Sequence, residues 1–366
     1  MKRILFAAQN MAMGGIQTSL VNLLNELCRD EECEIHLFTF APGTLMEQVP
    51  ERVHVTCGGR LLRLSATPLK EILKRANPVD IVLRVWLILW AQLRGSHHVY
   101  ARMLRNYQRD EAYDIAVSYF NDVPRGYFNK GTNQYVSDHV SAGQKVAWIH
   151  NDPILAGFDR EACLHGLRNF DKIVSVSQAV REKMEQFLPE YADRMAVFHN
   201  RFDAQKLRQQ AQAYAAPFEG KAFRIVTVAR IDNLQKRIDG IVRLCARLRG
   251  DGVDGFCWHI VGDGPDRAVD ENLAKSLGVS ELVRFEGEKK NPYPFIRSAH
   301  LFALYSAFEG FPMVVGEAQA LGTYVLTTNY AAAREQISPD QGCIAETDEA
   351  FYQELKRLIA QSQKGE

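Results

Sequence analysis

Short apolar runs alternate with amphipathic segments along almost the whole chain, in two successive rounds. The first round contains runs over 3–8, 34–40, 53–57, 115–120, 146–149, 173–177 and 196–199. The second contains runs over 224–229, 257–261, 283–286, 301–304, 324–327 and 343–345. Short apolar runs with helical patterns between them predict the buried strands of parallel sheets. The sequence therefore predicts an α/β protein built from two doubly wound, Rossmann-like domains.

The length of 366 residues suits two domains, each able to bury its own core. A polar, alanine-rich stretch over 203–221 is typical of a helix or linker between domains. We expect an N-terminal domain over 1–202, a C-terminal domain over 203–350 and a terminal helix over 351–366. Two such domains place a ligand in the cleft between them, beyond the carboxyl ends of the strands.

Composition narrows the class of protein. An apolar content of 46% and a charged content of 24% are typical of a globular enzyme, and the formal net charge is zero. The seven cysteines are odd in number and form no C-x-x-C pair, which favours a reducing compartment. The longest apolar stretch, Val79 to Leu93, is too short for a bilayer span and contains Arg84, so no transmembrane helix is expected.

The segment from Phe308 to Glu317 is the strongest candidate for the chemistry. Pro312 suits the first turn of a helix, because its missing N–H is not needed there. Glu309 then lies in a strand-to-helix loop, and Glu317 about one and a half turns inside the helix. The start of such a helix binds anions, and flanking carboxylates accept hydrogen bonds from hydroxyl groups. A phosphate between two polyols describes a nucleotide sugar, whereas the alternative is two solvated glutamates.

Two further loops offer groups for a phosphate. Arg230 closes an apolar run and Lys236 follows it, so that the two cations could clamp a diphosphate or simply be solvated. Gly14 and Gly15 follow the first apolar run, where they either let a ligand approach the backbone or form a plain turn.

Two more turns follow strands in the second half. Gly262 and Gly264 supply two glycines of a G-x-G-x-x-G pattern, but the third position is Arg267, so a dinucleotide site is disfavoured. The turn that ends at Tyr293 could hold the edge of a base through its backbone, or be an ordinary proline-containing turn.

The region from Arg60 to Arg109 differs from the rest in charge. It holds ten lysines or arginines and only two acids, Glu71 and Asp80, interleaved with tryptophan and tyrosine. Basic residues with tryptophan on amphipathic helices suit an anionic membrane surface. The alternative is a helical insertion packed on its own domain, with its arginines reaching outward. No companion motif supports nucleic-acid binding.

Four segments of the second half together resemble the retaining glycosyltransferases of family 4, which have the GT-B fold. The segments are ARIDNLQKRIDGIVRL, VGDGPDR, FEGEKKNPYPFIRSAHLFALYSAFEGFPMVVGEAQALG and REQI. Shorter stretches of the first half are also similar, namely GGIQTSLVNLL, VAWIHND, VSVSQAV and VFHNRFD.

The resemblance implies a role for each candidate residue. Glu309 would contact hydroxyls of the donor sugar and Glu317 the ribose. Arg230 and Lys236 would hold the diphosphate, and His150 would lie near the reacting centre. The remaining donor-binding residues would be Gly14, Gly15, Gly262, Gly264, Tyr293, Gly310, Phe311, Pro312 and Met313.

The resemblance also implies the reaction. We expect retention of configuration through front-face attack, with a UDP-sugar as donor and a lipid-linked saccharide as acceptor. The setting would be cell-surface polysaccharide or lipopolysaccharide synthesis on the cytoplasmic face of the membrane. No metal or cofactor is expected, and no D-x-D motif is present to hold a bridging cation. The alternative is a nucleotide-sugar epimerase of the same architecture.

Overall fold

The computed structural model describes residues 1–122, 128 and 130–364, except for the side chains at positions 70, 109, 110, 363 and 364. This description therefore leaves out the side chains of Lys70 and Arg109 in the basic region. It also leaves out the last two residues of the predicted terminal helix. The chain divides into two compact units, Met1–Arg201 and Phe202–Glu366.

Unit 1 is a seven-stranded parallel sheet flanked by helices. Its strands are β1 (Lys2–Asn10), β2 (Cys33–Ala41), β3 (His54–Cys57), β4 (Arg109–Ser118), β5 (Val140–Ile149), β6 (Lys172–Ser175) and β7 (Met195–Val197). Its helices are α1 (Gly15–Leu27), α2 (Arg60–Ala66), α3 (Leu69–Lys74), α4 (Pro78–Arg94), α5 (Ser96–Leu104), α6 (Thr132–His139), α7 (Arg160–Leu167) and α8 (Gln178–Phe187). The strand order is β3-β2-β1-β4-β5-β6-β7.

Unit 2 repeats this plan with six strands. They are β8 (Phe223–Val228), β9 (Phe256–Val261), β10 (Val283–Gly287), β11 (Leu301–Leu304), β12 (Tyr324–Thr328) and β13 (Gly342–Ala345). Its helices are α9 (Ala204–Gln210), α10 (Ile238–Gly250), α11 (Arg267–Ser276), α12 (Tyr293–Ser298), α13 (Met313–Ala320), α14 (Ala333–Gln336) and α15 (Asp348–Lys364). The strand order is β10-β9-β8-β11-β12-β13.

The order reverses once in each sheet, between β1 and β4 and between β8 and β11. This is the switch point at which doubly wound sheets bind ligands, beyond the carboxyl ends of the strands. Every strand pair in both sheets is parallel. The prediction of two doubly wound parallel sheets is confirmed.

The cores explain why the strand signal in the sequence was so clear. In β11, Leu301 and Ala303 pack into one apolar cluster of unit 2, whereas Phe302 and Leu304 pack into a second. Successive side chains of a strand point to opposite faces, so both faces of this sheet are covered. A strand buried on both faces therefore favours apolar residues along its whole length.

Two local predictions need correction. Strand β5 begins at Val140 rather than 146, because its first half carries exposed or half-buried polar residues that give no apolar run. Strand β4 likewise begins six residues before its predicted start at 115. The terminal helix α15 begins at Asp348, and its buried face includes Phe351 and Leu355, as the spacing of the apolar residues predicts.

The basic region folds into helices α2 to α5. One face of α4 packs on its own unit through Leu87 and Ala91, as the second alternative for this region predicted. Arg84 does not reach outward, however; it is buried, donates to the Ser65 carbonyl oxygen at 3.3 Å and lies 4.4 Å from the centre of the Phe128 ring. Among the described residues, no helix is both long enough and apolar enough to cross a bilayer.

Candidate functional site

The site lies where the loops after β8 and β11 meet at the switch point of unit 2. The two strands are neighbours in the sheet, so both loops leave from the same edge. The Ala307 amide donates to the Gln235 carbonyl oxygen at 2.7 Å, which ties one loop to the other. This contact fixes the relative positions of the candidate residues that follow.

A buried ion pair joins the two loops. The Lys236 ammonium group contacts one carboxylate oxygen of Glu309, and Gln235 donates to the other oxygen at 3.3 Å. Only 6% of the Glu309 side chain and 16% of the Lys236 side chain are exposed. The structure therefore brings together two residues that the sequence predicted at one site, although they are 73 positions apart.

Helix α13 follows Glu309 and has an uncapped start. It begins at Met313, one residue later than predicted, and Pro312 occupies the N-cap position with no side-chain cap. Gln336 donates to the Pro312 carbonyl oxygen at 2.8 Å, and the Tyr330 hydroxyl donates to Gln336 at 2.7 Å. These contacts brace the loop before a helix start that has no side-chain cap, and such a start is a common place for an anion to bind.

Glu317 lies in the second turn of α13 and is buried. The Tyr293 hydroxyl donates to its carboxylate at 3.2 Å. Burial raises the pKa of Glu317 to about 7, because desolvation of the carboxylate outweighs the hydrogen bond from Tyr293. Close to neutral pH this group therefore exists in both its protonated and its ionised form.

Arg230 is placed differently from Lys236. Its side chain is 68% exposed and contacts Asp232 at 3.5 Å, so it stays largely in solvent. The predicted two-cation clamp is thus asymmetric, with one buried and paired cation and one exposed cation.

Gly262 and Gly264 have a structural explanation. A Cβ atom on Gly262 would overlap the Ala229 carbonyl oxygen, and one on Gly264 would overlap the Ile231 carbonyl oxygen. The Ile231 amide also donates to the Asp263 carbonyl oxygen at 3.0 Å. These glycines allow the loop after β9 to pack against the loop that carries Arg230, and this packing requires glycine whether or not a ligand binds.

The candidate residues of unit 1 lie at the carboxyl ends of β1 and β5. Gly14 and Gly15 lead from β1 into α1, where Gln17 donates to the Asn10 side chain at 2.8 Å. His150 is buried, and its Nε2 atom lies 3.0 Å from the Tyr119 carbonyl oxygen. A carbonyl oxygen can only accept, so Nε2 carries the proton and Nδ1 carries the lone pair.

His150 is a neutral group. Burial lowers the pKa of His150 to about 3, even though the hydrogen bond to Tyr119 acts in the opposite direction. Its imidazole can therefore accept a hydrogen bond from a hydroxyl group through Nδ1, but at neutral pH it has no proton to give as an acid.

Comparison with known proteins agrees with this geometry. Residues 209–366 match the family model described as glycosyl transferases group 1. Residues 209–366 thus resemble a group 1 glycosyl transferase domain. This domain includes every candidate residue of unit 2, whereas the narrower assignment to family 4 stays a prediction.

Two of the curated relatives are named for lipopolysaccharide synthesis. The lipopolysaccharide 1,6-galactosyltransferase of Salmonella typhimurium is 30% identical over 110 residues, which cover 29% of this chain and 30% of the relative. The lipopolysaccharide core biosynthesis glycosyltransferase LpsE of Rhizobium meliloti is 34% identical over 94 residues, which cover 26% of each protein. The matched segments span less than two thirds of the length of these relatives.

Solved structures match over nearly the whole chain. HepE of Anabaena, determined with UDP and glucose, gives a TM-score of 0.68 at 18% identity and covers 99% of this chain and 89% of that protein. The lipopolysaccharide outer core galactosyltransferase WaaB gives a TM-score of 0.55 at 17% identity, with coverage of 98% and 91%. The prediction of the GT-B fold is confirmed.

Sequence reasoning missed residues that brace the candidate site of unit 2, namely Gln235, Tyr330 and Gln336. Gln235 was passed over although it stands directly beside Lys236, so its position was the available signal. Tyr330 and Gln336 gave no such signal. Gln336 lies 24 positions after Pro312, and α13 and β12 come between them, so local spacing does not predict their contact.

Proposed function

We propose that the chain is a retaining glycosyltransferase that moves a sugar from a UDP-sugar to a saccharide acceptor in surface polysaccharide or lipopolysaccharide synthesis. The observation that carries this proposal is the buried Lys236–Glu309 pair beside the uncapped start of α13. The names of the relatives support the pathway, and the complex of HepE with UDP supports the donor.

The chemistry follows from where charge develops. As the bond between the anomeric carbon and the phosphate oxygen breaks, the departing diphosphate gains negative charge. Lys236 and the first amides of α13 are held in place beforehand, so they stabilise this charge most strongly at the transition state. No metal or cofactor is required in this proposal, because Lys236 and Arg230 supply the positive charge.

Retention is proposed to occur by front-face attack. The acceptor oxygen bonds to the anomeric carbon on the face from which the diphosphate departs, and its proton passes to the leaving phosphate oxygen. Glu309 and the lone pair on Nδ1 of His150 would then accept hydrogen bonds from hydroxyls of the donor sugar. Glu317 would do the same for the ribose.

A donor assay tests this proposal. The chain is incubated with a panel of UDP-sugars and candidate saccharide acceptors, and transfer is followed by mass spectrometry. Lys236→Met should lower turnover by orders of magnitude, whereas Lys275→Met, which removes an exposed lysine from α11, should leave it unchanged. Near-normal transfer by Lys236→Met would overturn the role of this residue. An epimerised donor formed without any acceptor would favour the epimerase instead.

The acceptor is proposed to be lipid-linked and reached at an anionic membrane surface. Eight of the sixteen exposed large apolar side chains in the described part of the chain lie between Leu69 and Leu93. On α4 they form one stripe of Val79, Val82, Val85, Trp86, Leu89 and Leu93. Arg75 and Arg94 are exposed just beyond its two ends. An apolar face with basic flanks is the pattern of a helix that lies in the membrane interface.

Vesicle flotation tests the membrane proposal. The chain should float with anionic vesicles at low salt, and the change of Leu89 and Leu93 to Glu should abolish this. Val269→Glu is the matched control, because Val269 is an equally exposed apolar residue on α11. If the Leu89 and Leu93 variant floats as well as the control, α4 is not the membrane contact.

A further inference from the structure

A compact group of metal-ligating side chains lies on unit 1, apart from the candidate donor site. Glu34 and His36 come from β2 and His54 from β3, and one ligand atom of each lies within 4.8 Å of the others. We propose that these three side chains bind a divalent transition metal of the zinc class.

The strand register places the ligands on one face. His36 and His54 are direct partners in the parallel pairing of β2 with β3, and their ring centres are 4.9 Å apart. Glu34 precedes His36 by two positions, so alternation of side chains puts it on the same face. The arrangement thus belongs to the sheet itself and does not depend on a loop.

The Glu34–His36 contact already has the geometry of two ligands. Nε2 of His36 lies 2.8 Å from one carboxylate oxygen of Glu34. A metal would take the place of the hydrogen between these two atoms, and the single N–H of the neutral His36 ring would then be on Nδ1.

The surroundings orient the carboxylate. Nε of Arg3 contacts the second oxygen of Glu34 at 3.3 Å, which leaves the first oxygen directed at His36. The Tyr113 ring packs edge-on against the His36 ring at 5.2 Å. Outer contacts that fix a ligating carboxylate and a ligating imidazole are a regular feature of protein metal sites.

The ligand set selects the class of metal. Two imidazole nitrogens and one carboxylate oxygen suit Zn²⁺, Co²⁺ or Ni²⁺, and the fourth position would be left for water. Mg²⁺ and Ca²⁺ prefer sites built only from oxygen. A bound metal would cross-link β3 to β2. Strand β3 has only four residues and lies at the edge of the sheet.

Metal titration of the untagged full chain tests the proposal. After treatment with a chelator, the chain is titrated with Co²⁺ and followed by visible absorption, and with Zn²⁺ and followed by calorimetry and thermal melting. One equivalent should bind, and the melting temperature should rise, because the metal binds only the folded state. His54→Ala should weaken binding by more than the roughly 10- to 100-fold that loss of an outer contact costs.

Control variants distinguish metal binding at this site from metal binding by other histidine or cysteine side chains. His54 is exposed, so its removal should leave the fold intact, and His98→Ala removes an exposed histidine from α5 outside the group. His98→Ala and Cys33→Ser should bind like the unchanged chain. Binding that survives in His54→Ala, a thiolate-to-cobalt charge-transfer band, or the absence of saturable binding would each overturn the proposal.

Discussion

Replacement of Glu309 by Gln is expected to destabilise the unliganded chain and yet strengthen its binding of UDP. The change keeps the shape of the side chain and an oxygen that can accept from Lys236, but it removes the negative charge. The Lys236 ammonium group, with 16% of its side chain exposed, is then left nearly buried without a counter-charge. Loss of one partner of a buried ion pair costs about 3–5 kcal/mol, and the residual exposure places this case at about 3 kcal/mol.

UDP would supply the missing charge. In the unchanged chain, the Lys236 ammonium group would pair with both the diphosphate and the Glu309 carboxylate. In Glu309→Gln it would pair with the diphosphate alone. Recovery of even half of the lost stabilisation corresponds to about 1.4 kcal/mol, or tenfold tighter binding of UDP. Turnover should nevertheless fall, because the carboxylate that would accept from the sugar hydroxyls is gone.

The assay is a double-mutant cycle with Lys236→Met. Stability is followed by urea unfolding through the fluorescence of Trp258, which is fully buried in unit 2, in a background where the tryptophans at 86, 90 and 148 are changed to Phe. The Glu309→Gln/Lys236→Met chain should be more stable than either single variant and should bind UDP weakly by calorimetry. A coupling energy near zero would show that the pair contributes nothing to stability. Weaker binding of UDP by Glu309→Gln would show that Glu309 supports the nucleotide itself.

Three further predictions follow from burial and packing. The folded pKa of Glu317, about 7, lies above its usual value of 4.5, so its contribution to stability is present at low pH and lost as pH rises through 7. Glu317→Gln should therefore be more stable than the unchanged chain at pH 8, by up to ~3 kcal/mol, and equal to it at pH 4, as measured by urea unfolding. Gly262→Ala should lower the free energy of unfolding by about 3 kcal/mol or more, because Gly262 has a φ of 152° and its new Cβ would meet backbone atoms. The control is Gly250→Ala, in open space on α10, which should leave the free energy of unfolding unchanged or raise it by up to about 1 kcal/mol in the same urea experiment. The ring signals of His150 should not titrate between pH 5 and 8 in an NMR experiment, since burial lowers its pKa to about 3, and a transition near pH 6.5 would contradict the buried hydrogen bond to Tyr119.

The sequence was sufficient to predict the sheets because burial on both faces favours apolar residues along a whole strand. Each of the thirteen predicted strands is present, and the β11 run from Leu301 to Leu304 has the predicted bounds. The errors fall where this constraint relaxes, as in the first half of β5, where partial exposure permits Ser141 and Gln144. The start of α13 was predicted one residue too early, because proline is tolerated both at the N-cap position and at the first helical position.

The sequence was less informative about which polar groups pair with each other. Lys236 and Glu309 were each assigned to a ligand, and nothing in their spacing indicated that they would pair in its absence. Arg84 was expected among the outward arginines of the basic region, yet it packs over the Phe128 ring. Such pairings depend on contacts between distant parts of the chain, which residue type and local periodicity do not encode.

The contrast between Lys236 and Arg230 suggests that the two cations act at different stages. Lys236 is held in one place by Glu309 before any ligand arrives, so its side chain gives up little further freedom on binding. Arg230 is mostly in solvent, and its immobilisation on a diphosphate would cost up to ~2 kcal/mol of side-chain entropy. A contact with that cost is most useful if it strengthens as charge develops on the leaving group. We therefore expect Lys236 to contribute both to the affinity for UDP and to turnover, and Arg230 to act mainly on turnover.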